Sequence, residues 1–320
     1  MSSYPNLATG RVDKLVTNVL LAYTNKTFIA GDMLPAVPNL AEESGLLGKI
    51  SNHHLRTYVT KRALYDEGEH RMEFKYTQTD RYQIDYYDQS VYIPYRLQKQ
   101  LQAPFDSRRD AATVILQAMM LEREVALATS LTSTSVLTNN TTLSGTSQYS
   151  DYANSDPRVN FETARDSVFS TTGSEANAIF MSRKVANVLK GHPFFLDLAK
   201  RNAGQNVSNI NLTQFTELLK AFFELDYVYI GKSIKITSKE GQTETKGNVW
   251  GNDVVFFHRA PNPSLFAPSF GYSFSLAGKD KTVRVREHQN GKGEIVEVEW
   301  AYQDMLLDAN CAYLLKNAVA

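Results

Sequence analysis

The sequence predicts an α+β fold organised around one long helix, and three stretches predict it. Residues 106–131, DSRRDAATVILQAMMLEREVALATSL, place Ala111, Val114, Ile115, Ala118, Leu121, Val125 and Ala128 at the i, i+3, i+4, i+7 spacing of one helical face. Residues 55–94 change to a period of two: Met72, Phe74 and Tyr76 alternate with polar residues, as do Tyr82, Ile84 and Tyr86. Residues 156–258 then alternate helix-like and strand-like segments. Each element follows from its residues, taken in order.

The first 54 residues read as an arm. Val12–Tyr23 carries one amphipathic helix with Leu15 and Val19 on its apolar side. Gly31, Pro35 and Pro38 then force extended backbone, because the residue before each proline is pushed out of the helical region. Such a segment lies over another surface, and that surface can belong to a second subunit. Residues 55–94 read as a long hairpin, with strands near Tyr58–Leu64 and Arg71–Gln78 about the turn Asp66-Glu67-Gly68-Glu69. Its charges, among them Arg62, Asp66, Glu67, Glu69 and Arg71, are too many for a buried hairpin, and a two-stranded ribbon needs a partner surface in water.

The helix at 106–131 is capped by Asp106 or Ser107, has no Gly or Pro, and would run about 39 Å. Arg109, Asp110, Thr113, Gln117 and Glu124 mark an opposite face that meets solvent or another subunit. Thr132–Asn154, rich in Ser, Thr and Asn, reads as loop and subdomain boundary. Ser155-Asp156-Pro157 starts a helix that ends before Gly173. Ala176–Met181 reads as a buried strand, Ser182 caps a short helix to Lys190, and Thr213–Phe223 forms a third helix. Strands follow at Tyr227–Ile230, Lys235–Thr237 and Asp253–His258. Three prolines at 261, 263 and 268 lead out to strands at Phe270–Leu276, Val283–His288 and Glu294–Tyr302, the last two joined across Asn290-Gly291-Lys292-Gly293. A final helix is expected over Asp304–Lys316.

Bulk properties narrow the function. At 320 residues two subdomains are the default, and 42% hydrophobic content is enough for packed cores. Lys plus Arg equals Asp plus Glu at 34 each, which argues against a dedicated nucleic-acid binder. The single cysteine, Cys311, excludes an internal disulfide framework, and with no signal peptide or membrane span in view the expectation is a soluble protein folded in the cytoplasm.

Catalytic patterns are missing. Gly231-Lys232-Ser233 has the last three letters of a phosphate loop but lacks the first glycine upstream, so it reads as a turn between strands. Gly271-Tyr272-Ser273-Phe274-Ser275 lacks the closing glycine of a nucleophile elbow. His53, His54 and His70 lie near Glu67 and Glu69, but polar hairpin tips are better explained by solubility than by a metal. His192, His258 and His288 read as hydrogen-bonded structural residues, and Cys311 as packing on the final helix. No catalytic residue, cofactor or metal ligand is expected, and the chain is not expected to be an enzyme.

The order of parts, arm, charged hairpin, long helix, loop, α/β block, hairpin and closing helix, resembles the major capsid proteins of tailed bacteriophages, the Hong Kong 97-type fold. Asn18–Asp32 with Leu34–Pro38, Ser150-Asp151-Tyr152 with Ser155-Asp156-Pro157, Leu189–Pro193, Ile230–Ser233 and Val249-Trp250-Gly251 are similar to one large branch of that family. Tyr149 departs from the tryptophan more often found there. The resemblance spans nearly the whole chain.

It implies an N-terminal arm (1–54), an extended hairpin loop (55–94), a peripheral domain with a spine helix and linker (95–154), an axial domain (155–260), and peripheral strands with a C-terminal helix (261–320). It further implies a virion structural protein, a homo-oligomer that self-assembles as hexamers and pentamers into an icosahedral head around double-stranded DNA. Arg62, Asp66, Glu67, Glu69, Arg71, Pro35 and Pro38 are the candidate assembly contacts. The implied partners are other copies, a portal protein and a decoration protein, with no membrane and no sequence-specific DNA contact. Assembly is expected in the host cytoplasm. Because arm and hairpin fill the residues before the spine, a separate scaffolding protein is expected. Some family members carry a lysine–asparagine crosslink, but no crosslinking site is matched here. An encapsulin-like compartment shell is the alternative within the fold. A soluble α/β enzyme using residues 156–258 is the alternative outside it, and a tail-tube or decoration protein would be shorter and lack the spine.

Overall fold

The structure, a computed structural model, describes residues 11–22, 27–50, 76–100, 106–203, 210–239, 241–263 and 268–320. The described chain begins with β1 (Arg11–Val12), α1 (Lys14–Ala22), α2 (Ala30–Met33), β2 (Ala36–Leu40), β3 (Ser44–Ile50), β4 (Tyr76–Gln83), β5 (Asp85–Pro94) and α3 (Tyr95–Gln100). The long helix α4 (Ser107–Leu131) and β6 (Asn140–Thr142) lead to α5 (Pro157–Thr172), β7 (Ala178–Ser182), α6 (Arg183–Leu189), α7 (Pro193–Ala203) and α8 (Leu212–Phe223). Then come β8 (Tyr227–Gly231), β9 (Ile234–Ile236), β10 (Lys246–Asn248), β11 (Val254–Phe257), β12 (Gly271–Leu276), β13 (Thr282–Glu287), β14 (Gly293–Leu306) and β15 (Ala312–Lys316).

Two sheets carry the fold. In one, β14 is the hub: β13 pairs antiparallel over Glu294–Glu299, β12 over Tyr302–Leu306, and β5 over Gly293–Tyr302. β1 extends this sheet beyond β13, and β2 adds to β12 in parallel. The turn at residues 290–293 joins β13 to β14 as expected, with Gly291 at φ 63°. The other sheet has the order β6-β15-β11-β7-β8. Its inner strands are apolar at every position except the last residues of β7 and β15, Ser182 and Lys316, because both faces are covered. Ile179 and Met181 of β7, Val254 and Phe256 of β11, and Tyr313 and Leu315 of β15 face a core formed with α5 to α8. Ala178, Phe180, Val255, Phe257, Ala312 and Leu314 face the opposite core, formed with α4 and Trp250.

That pattern corrects the end of the chain. No helix forms over 304–316: β14 continues to Leu306, one 3-10 turn spans Ala309–Cys311, and β15 follows. A four-residue apolar run, Ala312–Leu315, is buried throughout and hydrogen-bonded on both edges, so it satisfies a central strand where a helix would leave one side bare. Cys311 is buried in that 3-10 turn, not on a helix. Lys316 fixes the strand's end by donating to Asp253 Oδ2 at 2.8 Å and to the Thr132 carbonyl at 2.7 Å.

The Ser/Thr-rich segment after α4 is likewise more than a linker. β6 pairs in parallel with β15, and Leu137, Leu143 and Tyr149 are buried. A further helix starts directly after α6: His192 precedes Pro193, the first residue of α7. Pro193 suits a first helical turn, where its missing N–H costs nothing. The expected caps do hold. Asp106 accepts from the N–H groups of Arg108 and Arg109, Asp156 from those of Arg158 and Val159, and Ser182 from that of Val185.

The spine α4 joins the two halves. Ala112, Ile115, Leu116 and Met119 pack with Val283, Val296, Val298 and Trp300 of the first sheet. Leu127, Ala128 and Leu131 pack with Phe180, Val255, Phe257 and Leu314 of the second. The buried face is therefore rotated from the expected one: Val114 is 63% exposed, whereas Glu124, expected on the polar side, is fully buried. The buried stripe passes through Arg123 and Glu124, so its periodicity is broken where the two cores meet.

Candidate assembly surfaces

β3 and β4 pair antiparallel from Ser44–Gln83 to Ile50–Tyr76, so part of the expected arm (1–54) pairs with part of the expected hairpin (55–94). This two-stranded ribbon is anchored to the first sheet. Ile84 is buried, Tyr82 stacks on Phe274 with ring centroids 5.1 Å apart, and the Gln83 N–H donates to Gln303 Oε1 at 2.7 Å. Gly45 lies opposite Tyr82, and a Cβ there would meet the tyrosine ring at 2.5 Å, so the glycine is needed for the ring to cross the ribbon. The candidate contacts Arg62, Asp66, Glu67, Glu69 and Arg71, like the strand read at 58–64 and residues 71–75 of the strand read at 71–78, lie outside the described residues; the end of the latter, from Tyr76, is the start of β4.

Pro35 and Pro38 are described. Pro35 is buried, and its carbonyl accepts the Ser273 N–H at 3.0 Å; Pro38 is exposed within β2. Among the described residues β2 pairs only with β12, so Pro38 sits on an edge strand there, where its missing donor is tolerated. The arm segment 30–40 therefore lies on this chain's own sheet.

β5 is the second exposed feature. It pairs with β14 on one edge, and residues 85–92 are exposed, including Tyr86, Tyr87, Val91 and Tyr92. Between β5 and the spine lies a cavity of about 540 Å³ lined by Tyr86, Tyr87, Asp88, Ala118, Met119, Glu122 and Tyr302, among others. Among the described residues β5 pairs with no strand on its other edge, and its exposed tyrosines and Val91 beside this cavity, interspersed with Asp88, Gln89 and Ser90, form a candidate contact surface.

Sequence reasoning missed the buried polar node at the middle of α4. The Glu124 carboxylate accepts from the Ile29 N–H (3.1 Å), the Ala30 N–H (2.8 Å), Ser233 Oγ (3.2 Å) and Trp250 Nε1 (2.5 Å). Burial pushes its pKa above the ordinary 4.5, and the donors oppose that shift. The adjacent residue, Arg123, donates to both carboxylate oxygens of Asp304 at 2.7 and 2.6 Å and to Ser273 Oγ at 2.9 Å. Its guanidinium lies over Tyr302 and Trp300, 4.8 and 5.2 Å from the ring centroids. Glu124 thus ties the spine to α2 and to the segments at Ser233 and Trp250, and Arg123 ties it to β12 and β14. A signal existed in the sequence: at four residues either side, Arg123 has Met119 and Leu127, and Glu124 has Met120 and Ala128, which places both charges inside an apolar stripe.

The three described histidines read as structural are hydrogen-bonded. His192 Nδ1 accepts the Phe194 N–H at 3.2 Å while Nε2 lies 3.2 Å from Ser155 Oγ; His258 Nδ1 is 2.7 Å from the Glu175 carbonyl; His288 Nδ1 accepts the Asn290 N–H at 3.2 Å. Among the described residues no group of three or more His, Cys, Asp or Glu is placed to hold a metal, and no helix is long and apolar enough to cross a membrane.

The chain is 26% identical over 313 residues to the major capsid protein of Burkholderia phage BcepMu, covering 96% of each chain. The crystal structure of a phage-related protein from Bordetella bronchiseptica RB50 superposes with a TM-score of 0.74 at 24% identity, over 97% of this chain and 98% of that one. The capsid structure of cyanophage P-SCSP1u follows the same path with a TM-score of 0.57 at 12% identity, over 92% and 89%. The chain has the Hong Kong 97-type capsid fold. An encapsulin from Synechococcus elongatus PCC 7942 shares that fold at a TM-score of 0.51 and 10% identity, over 94% of each chain. No family model matches the chain.

Proposed function

We propose that the chain is the major capsid protein of a tailed phage, assembling as hexamers and pentamers into an icosahedral shell around double-stranded DNA. The observation that carries this reading is the end-to-end match to a major capsid protein, without large insertion on either side. The geometry supports it: an anchored ribbon, an exposed strand edge and an aromatic cavity are candidate surfaces for neighbours. Contacts shared among several neighbours let individually modest interfaces sum to a stable shell. The role is structural and not catalytic.

Within this proposal the β14-centred sheet with α4 is the peripheral domain, and residues 155–260 form the axial domain. The strand at 312–316 belongs with the latter, because it hydrogen-bonds to β11. In this reading residues 55–94, of which 55–75 lie outside the described residues, are assigned to the extended loop, with Arg62, Asp66, Glu67, Glu69 and Arg71 setting its register on a neighbour more than adding affinity. Portal, scaffolding and decoration proteins are the expected partners, in a virion assembled in the host cytoplasm.

The test is negative-stain microscopy with sedimentation of the purified full-length chain, alone and with a scaffolding protein. Capsomers or closed shells are expected. A monomer that never assembles would overturn the proposal. Since an encapsulin shares the fold, shells loaded with a protein cargo in place of DNA would move the chain to the compartment class.

A further inference from the structure

One side chain closes the turn between α6 and α7. His192 is the last residue before α7, and its carbonyl accepts the N–H groups of Phe195 at 3.0 Å and Leu196 at 3.1 Å. Pro193 has no N–H, so the first donor the helix must satisfy is that of Phe194. The His192 ring satisfies it, with Nδ1 accepting at 3.2 Å. An imidazole thus takes the capping place that Asn, Asp or Ser holds at most helix starts. On its other side the ring meets the loop that precedes α5. Nε2 lies 3.2 Å from Ser155 Oγ, and Tyr152 packs edge-on with ring centroids 5.6 Å apart. The Tyr152 hydroxyl also donates to the Val188 carbonyl, at the end of α6, at 3.2 Å.

These contacts fix the proton. Ser155 donates its own hydroxyl hydrogen to the Asp151 carbonyl at 2.6 Å, so toward the histidine it accepts. The Phe194 N–H needs a lone pair on Nδ1. Both ends call for the neutral tautomer with its hydrogen on Nε2. A second proton, on Nδ1, would set two N–H groups against each other at the start of an 11-residue helix, where the macrodipole also opposes positive charge. The ring is rigid, so turning Nδ1 away from Phe194 swings Nε2 away from Ser155, and the two contacts are lost together. Burial favours the neutral form, while Asp156 at the start of α5 pulls the other way. Of the other ionisable groups on these elements, Asp151 accepts from the N–H groups of Ala153 and Asn154, Asp197 of α7 lies 3.2 Å from Lys200, and Lys190 ends α6.

The movement is bounded on each side. Tyr149, before the loop, is fully buried and donates its N–H to the Ala318 carbonyl at 2.8 Å, and Asp156 caps α5 after it. Phe195 is fully buried in ring contact with Phe161 and Phe215. Residues 150–155 and the first turn of α7 can therefore part without opening the core.

We propose that His192 is a proton-released latch: neutral, it caps α7 and holds the loop at 150–155 against the α6–α7 turn, and charged, it lets go of both. The latch belongs to the single subunit and does not depend on assembly.

The test is hydrogen exchange on the unassembled full-length chain, corrected for the intrinsic rate at each pH. In the wild type, protection of residues 151–155 and 194–196 should fall about fivefold or more from about pH 8 to about pH 5, the loss of one helix cap. His192→Asn keeps an acceptor for the Phe194 N–H at every pH, so its first turn of α7 should keep its protection across that range. Ser155→Ala should expose the loop at both ends of the range and leave the pH dependence of α7 in place. Equal pH profiles in wild type and His192→Asn would overturn the latch. So would a wild-type ring carrying its hydrogen on Nδ1, read from long-range proton–nitrogen correlation spectra in which the loss of a signal in His192→Asn identifies the residue. A loop as protected in Ser155→Ala as in the wild type would show that His192 does not hold it.

Discussion

Replacing Glu124 by leucine should be among the most destabilising single changes in this chain. The carboxylate satisfies four buried donors: two backbone N–H groups, a serine hydroxyl and an indole N–H. Leucine fills a similar volume but accepts nothing. Each orphaned donor costs about 1–3 kcal/mol, the serine hydroxyl can turn elsewhere, and the added apolar burial returns about 1–2 kcal/mol, so the net loss is about 4 kcal/mol. Glu124→Gln keeps one acceptor oxygen for half of the donors and turns an NH2 group toward the rest, a loss of about 2 kcal/mol. Urea titration of the unassembled chain, with midpoint and slope fitted together, measures both. The pH dependence adds a second readout. A carboxyl whose folded pKa is raised contributes stability that is complete below its ordinary 4.5 and is lost as pH rises through the folded value. The wild type's advantage over Glu124→Gln should therefore be largest near pH 4.5 and narrow toward neutrality. A leucine variant within about 1 kcal/mol of wild type, or less affected than the glutamine variant, would refute the assignment of this node as a satisfied anchor.

Gly231→Ala should destabilise although it adds one methyl group, because its Cβ would lie 2.2 Å from the Trp250 ring and displace the indole from Glu124; a shifted, broadened tryptophan emission spectrum together with a lower melting temperature is the expected result. Arg123→Met should cost about 3–5 kcal/mol by leaving Asp304 buried without its partner, and Arg123→Met with Asp304→Leu should recover most of that loss, which a double-mutant cycle in urea reads. Burial lowers the pKa of His192 below its ordinary 6.5, so the stability it contributes is present above that value and is lost as pH falls through the folded pKa; His192→Gln should flatten the melting-temperature profile on the acid side of 6.5.

What was legible in the sequence was local. Asp106, Asp156 and Ser182 cap helices because each has an orphan backbone N–H two or three residues ahead, a relation that needs no tertiary structure. The β13–β14 turn was readable because Asn290-Gly291 supplies the left-handed backbone that a tight reversal needs. What failed depended on distant partners. Ala312–Leu315 becomes a strand because β11 and β6 flank it, and those lie far away in sequence. Thr138–Leu143 looks like linker by composition until the parallel ladder to β15 is known. The buried face of α4 was misjudged because two different cores meet along it and the residues at their junction are charged. Of the candidate contacts, Pro35 turned out to be packed inside its own chain and Pro38 exposed on a strand edge, a distinction that depends on the β2–β12 pairing.

The placement of that charged pair suggests what it does for the architecture. Apolar contacts alone would let a long helix slide or roll between two sheets at little cost, because one aliphatic side chain substitutes for another. A carboxylate that must meet the N–H groups of residues 29 and 30 and the indole of Trp250, beside a guanidinium that must meet both oxygens of Asp304, admits one axial position and one rotation of α4. Buried polar groups are often no more stabilising than well-packed apolar ones, and their better-attested use is to fix register. In a shell, an error in the angle between the two halves of one subunit is carried into every contact it makes. Stability could have come from more leucine at positions 123 and 124, but the fixed angle could not.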